Sequence, residues 1–75
     1  MAKKPPTRGA LGAAIREVRH ERGWTIETLA SRADLHWTYV GGIERGERNP
    51  TWDTLRRISE ALATPISEIA QRAEH

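Results

Sequence analysis

The sequence predicts an all-α fold of five short helices. Three observations carry that reading. Apolar residues recur at three- and four-residue spacing from Leu11 to Ala70. No segment alternates apolar and polar residues as a half-buried strand would. Helix-start and helix-stop residues punctuate the chain at short intervals, with Gly23, Thr25, Thr51 and the Thr64-Pro65 pair the clearest.

The first helix begins near Leu11, with Leu11, Ala14, Ile15, Val18 and Arg19 on one stripe. Gly23 ends it, because glycine adopts the left-handed conformation that closes a helix at little cost. Thr25 caps a second helix from Ile26 to Arg32, with Glu27 near its positive end and Leu29, Ala30 and Ala33 inward. Asp34 lies in a turn. Leu35 or His36 opens a third helix that runs to about Arg45, with Val40 and Ile43 buried. The segment Gly46-Glu47-Arg48-Asn49-Pro50 is a loop by composition. Thr51 caps a fourth helix, with Asp53 in its first turn and Leu55, Ile58, Ser59 and Leu62 on the inner face. Thr64 followed by Pro65 predicts a cap and a first helical residue for the fifth helix, which carries Ile66, Ile69 and Ala70.

With 75 residues and no cysteine, the chain has neither disulfides nor a thiolate metal site to support it. Its stability must come from helix packing, aided by dimerisation. No apolar stretch is long enough to span a membrane, and Lys3-Lys4-Pro5-Pro6 does not open a secretory signal, so the expected location is cytoplasmic. The net charge is +2. Lys3, Lys4 and Arg8 account for more than that excess, so residues 1–8 are expected to form a flexible basic arm and residues 9–75 the folded domain. A body this balanced can present a basic surface only by clustering its arginines.

Two short helices joined by a tight turn, residues 23–46, form a helix-turn-helix, a motif able to place its second helix in the DNA major groove. Around that stretch stand Ile15-Arg16-Glu17-Val18-Arg19, Gly23-Trp24-Thr25, Leu29-Ala30, Tyr39-Val40, Ile43-Glu44-Arg45-Gly46, Asn49-Pro50-Thr51 and Leu62. In this order and spacing they resemble the Cro/repressor-type, or XRE, family of helix-turn-helix proteins. Thr38-Tyr39-Val40 with Ile43-Glu44-Arg45-Gly46 and Arg48-Asn49-Pro50 is similar to the controller proteins of restriction–modification systems within it.

The resemblance implies a compact five-helix domain of the phage repressor type. It implies a homodimer on a palindromic operator in double-stranded DNA, regulating transcription. His36, Trp37, Thr38 and the position of Gly42 would then face the bases. Thr25, Ile26, Tyr39, Arg45, Arg48 and Asn49 would face phosphates. Arg19 and Glu44 would form a partly buried ion pair between the first and third helices. Trp52, Ile66 and Ile69 form the expected apolar dimer patch, unless they only close a monomeric core.

The reading face departs from the family in three places. Ile26 stands where a phosphate-binding glutamine is common. Trp37 stands where an amide or guanidinium usually reads two atoms of one base; its indole suits thymine methyls or a sugar, or folds back onto protein. Gly41 and Gly42 cost the third helix roughly 2 kcal/mol relative to alanine, which invites close approach of its backbone to DNA or early fraying. These departures also fit a different function, a protein-interaction module such as the partner-binding half of a toxin–antitoxin pair.

Nothing in the sequence supports an enzyme. His20, His36 and His75 lack metal-ligand spacing, and neither a glycine-rich phosphate loop nor a cofactor motif is present. A chain of this length has no room for a ligand-sensing domain, so occupancy of an operator should follow its own concentration. A restriction enzyme or toxin encoded nearby is the expected functional partner.

Overall fold

The computed structural model describes residues 7–75. Five helices follow in order: α1 Arg8–Glu21, α2 Ile26–Ala33, α3 Trp37–Glu44, α4 Trp52–Leu62 and α5 Ile66–Glu74. Among the described residues there is no strand, and no helix is long and apolar enough to cross a membrane. α1 packs against α3 and α5, while α2 packs against α3 and α4. The α2–α3 pair is therefore held from both sides and leaves one flank open.

Eight side chains spread over all five helices are fully buried: Ile15, Val18, Leu29, Val40, Ile43, Ile58, Leu62 and Ile69. Burying such a side chain contributes about 1.5–3 kcal/mol, so each helix is anchored by at least one residue of the common core. The side-chain caps of α2 and α4 are as the sequence predicts. Thr25 Oγ1 accepts from the Thr28 amide at 3.1 Å, and Thr51 Oγ1 accepts from the Thr54 amide at 3.1 Å. Gly23 sits at φ +71° beyond α1, where a side chain would be strained.

Three expectations need correction. α1 starts at Arg8 and is capped by Thr7, whose hydroxyl accepts from the Ala10 amide at 3.0 Å. Of the residues assigned to the arm, Thr7 thus caps the helix and Arg8 begins it; Lys3 and Lys4 lie outside the described residues. Thr64 does not cap α5. Its buried hydroxyl donates to the Leu62 carbonyl and accepts from Arg22, and Pro65 occupies the cap position without a side-chain bond. Ile69 is fully buried inside the chain's own core and has no surface to offer a partner subunit.

Two features were not anticipated. Gly12 lies where α1 crosses α3. A Cβ there would come within 2.6 Å of the Glu44 carbonyl oxygen and closer still to that of Ile43. Only glycine lets the two backbones approach this far, and that approach sets the position of α3. Arg22, just past α1, reaches α4: its guanidinium donates to the Leu62 carbonyl at 2.7 and 3.1 Å. A cation at the negative end of a helix, sharing the Leu62 carbonyl with the Thr64 hydroxyl, fixes the α4–α5 corner.

Candidate nucleic-acid interface

The open flank of the α2–α3 pair follows from helix periodicity. At 100° per residue, Val40, Ile43 and Glu44 fall on one side of α3 and Thr38, Gly41 and Gly42 on the other, with Trp37 at the boundary in the first turn. The first set is buried against α1 and α2. The second forms the outward face.

Arg19 and Glu44 hold α3 in place. The Arg19 guanidinium donates through Nε and Nη2 to the two Glu44 carboxylate oxygens, at 2.7 and 2.9 Å. Its Nη1 donates to the Trp24 carbonyl at 2.7 Å. The two residues are only 7 % and 8 % exposed, so the pair expected at the core rim is buried and bidentate. The Glu44 hydrogen bonds push the Arg19 pKa upward, keeping the guanidinium charged despite its burial. One arginine thus ties the end of α3 to α1 and to the start of α2, with the directionality a planar fork imposes.

At the N-terminus of α3, His36 is the cap. Its Nδ1 accepts from the Thr38 amide at 3.2 Å and lies 2.7 Å from the Thr38 hydroxyl. The backbone bond requires the Nδ1 lone pair, so a neutral ring carries its proton on Nε2 and offers it outward. Trp37 follows, 54 % exposed and stacked on His36 with ring centroids 6.1 Å apart. The indole is not folded onto the protein, as one reading of the sequence allowed. His36, Trp37 and Thr38 are brought together on one exposed edge.

Gly42 is not part of that edge. It is buried, because the Arg48 side chain lies across it: a Cβ at Gly42 would meet Arg48 Cγ at 2.7 Å. Gly41 is covered in the same way by Arg45, whose Nη1 would lie 3.0 Å from such a Cβ. Gly42 therefore makes a flat floor for the Arg48 stem, and Gly41 lies beneath the Arg45 guanidinium, rather than leaving bare backbone. The Arg48 stem accounts for glycine at position 42.

The phosphate candidates divide. Thr25 caps α2, and its hydroxyl also pairs with Thr28 at 3.0 Å. Ile26 is half-buried and packs against the core, so its amide rather than its side chain faces outward chemistry. The half-buried Tyr39 hydroxyl donates to Thr54 at 3.4 Å. In the free protein Tyr39 thus joins α3 to α4, with the Arg48 guanidinium 6.0 Å above its ring. Arg45 is exposed but bonded to Glu47 at 3.0 and 3.3 Å. The pairing raises the pKa of Arg45 and lowers that of Glu47. Arg48 and Asn49 are exposed, and among the described residues neither side chain has an ion-pair or hydrogen-bond partner.

Arg16 was missed by the sequence reading. It lines one concavity with Ile26, Gly41 and Arg45, beside the start of α2, and has no ion-pair partner among the described residues. Its signal was its place one turn before the inward-facing Arg19, on the adjoining stripe of α1. Arg16, Arg45 and Arg48 thus flank the exposed edge, whereas Arg56, Arg57 and Arg72 are occupied by carboxylates elsewhere.

The expected dimer patch is also rearranged. Trp52 is 69 % exposed at the start of α4. Ile66 begins α5 beyond the other end of α4, which at 1.5 Å per residue is about 15 Å away. The structure does not bring these two together. Nearer the Trp52 end of α4, Leu55 lines an apolar groove with Leu11, Ala70 and Ala73. Among the described residues there is no cluster of three potential metal ligands.

A family profile described as a helix-turn-helix domain matches residues 10–71. The chain is 42 % identical over 59 residues to control protein C.BamHI of Bacillus amyloliquefaciens, covering 77 % of this chain and 73 % of that one. It is 35 % identical over 57 residues to the helix-turn-helix transcriptional regulator SutR of Escherichia coli, covering 76 % of this chain. It spans only 32 % of SutR's length. The crystal structure of the restriction–modification controller protein C.AhdI of Aeromonas hydrophila superposes with a TM-score of 0.81 at 35 % identity, over 83 % of this chain and 94 % of that one.

Proposed function

We propose that this chain, which belongs to the helix-turn-helix domain family, is a DNA-binding transcriptional regulator that lays the outward face of α3 in the major groove. The supporting observation is the exposed His36-Trp37-Thr38 edge flanked by Arg16, Arg45 and Arg48. In this docking the amides at the start of α2 face one phosphate, and the arginines neutralise others. Arg48 and Asn49 follow the backbone beyond the C-terminal end of α3.

The chain acts as a homodimer on a palindromic operator. Trp52 and the neighbouring groove of Leu11, Leu55, Ala70 and Ala73 supply the apolar surface for that contact. The likeness to restriction–modification control proteins supports a role beside a restriction enzyme, and the neighbouring genes would test that directly.

The experiment is a binding assay of fluorescent genomic fragments as a function of salt. Retention at low salt that falls steeply as salt rises is expected, because arginines displace counterions from phosphates. Arg48→Ala should weaken binding to all sequences alike, and Thr38→Ala should weaken one sequence more than others. Absence of retained DNA at low salt would refute the proposal. Loss of a protein complex in Trp37→Ala would then point to the interaction module instead.

A further inference from the structure

We infer that this chain reads its DNA site through the C5-methyl groups of pyrimidines, with Trp37 as the reading side chain. The inference rests on the α3 docking proposed above and specifies its chemistry. Direct readout usually employs a guanidinium or amide that spans two atoms of one base. Within α3 itself no residue supplies one. The Thr38 hydroxyl is already engaged by His36 Nδ1 at 2.7 Å, leaving its methyl and one acceptor to face a base. Gly41 and Gly42 bring no side chain; the Arg48 stem lies over Gly42 and the Arg45 guanidinium over Gly41. Arg45 is held by Glu47.

What this face does offer is apolar area. Trp37 is more than half exposed and makes no side-chain hydrogen bond among the described residues. Its stack on His36 holds the ring at the start of the helix, the end of a recognition helix that meets base edges. In the major groove the apolar feature of the bases is the C5-methyl of thymine, and 5-methylcytosine presents the same group. An indole beside the Thr38 methyl is complementary to it. Each methyl removed from water by such a contact changes affinity about fourfold.

The test starts from duplexes enriched by the full chain from a random-sequence pool. The best duplex is resynthesised with deoxyuridine replacing thymidine, which removes only the methyl groups. Wild-type affinity should fall about fourfold or more. In Trp37→Ala the thymidine and deoxyuridine duplexes should bind alike. Where a contacted T·A pair is changed to C·G with a matching loss, 5-methylation of that cytosine should recover part of it. Equal wild-type affinity for both duplexes would overturn the inference and leave DNA binding intact. A preference for thymidine that persists in Trp37→Ala would overturn it too, by assigning the effect to the Thr38 methyl or to DNA stiffness. If no duplex is enriched, the DNA-binding proposal itself fails, and the inference falls with it.

Discussion

Replacing Glu44 with alanine removes the carboxylate that receives two of the three hydrogen bonds of the buried Arg19 guanidinium. The third, to the Trp24 carbonyl, remains. A neutral carbonyl cannot balance a cation that is only 7 % exposed, so the variant keeps the desolvation cost of the charge and loses its compensation. Breaking a buried pair from one side costs about 3–5 kcal/mol. A domain of 75 residues has only about 4–11 kcal/mol of net stability. The loss should lower the melting midpoint by at least about 12 °C, measured by far-ultraviolet circular dichroism. Removing both charges separates the pair from its packing. The double variant Arg19→Met, Glu44→Leu should recover most of the loss, because buried pairs often break even with apolar residues of similar volume. A Glu44→Ala midpoint within about 4 °C of wild type would refute the reasoning.

Gly12→Ala should destabilise by about 1–3 kcal/mol or more despite alanine's better helix propensity, because its Cβ meets the backbone of Ile43 and Glu44; a variant that melts with wild type would contradict the close crossing. Glu47→Gln should leave folding unchanged, since the pair with Arg45 is exposed on both sides. The same variant should bind DNA about fivefold more tightly at low salt, as roughly 1 kcal/mol of repulsion is removed and Arg45 is released; unchanged or weaker binding would count against a phosphate role for Arg45. Arg72 bonds Glu17, Glu21 and Glu68 and holds the Glu21 carboxyl below its ordinary 4.5. The unfolded chain therefore takes up that proton first, so the stabilisation is complete above about pH 4.5 and is lost as pH falls further. In urea melts at a series of pH values, wild type should lose its advantage over Arg72→Met only in that acid range; a constant difference down to pH ~2.5 would show that Arg72 acts through packing instead.

The scaffold of this protein was legible in the sequence because it is written in local terms. Thr25 and Thr51 cap the helices they precede, Gly23 closes α1, and the three- and four-residue spacing of Ile15, Val18, Leu29, Val40, Ile43, Ile58 and Leu62 marks their buried faces. Capping and periodicity act within a few residues, so they survive without knowledge of what lies across the core. Thr64 misled for the converse reason: a residue with a cap's chemistry gave its hydroxyl to Arg22, 42 positions earlier in the chain.

The site was legible only in outline. The sequence placed His36, Trp37 and Thr38 at the start of the third helix, and the structure brings them to one exposed edge. It could not say that Arg48 would lie over Gly42, that Tyr39 would bond Thr54, or that Arg45 would be held by Glu47. Nor could it place Ile69 in the core while Trp52 stayed in solvent. Those outcomes depend on where neighbouring helices put competing partners and how much room they leave. Order and spacing along the chain determined which residues form helices and which faces are apolar. Only the tertiary structure decided which polar groups were already satisfied, and so which side chains remain available to DNA.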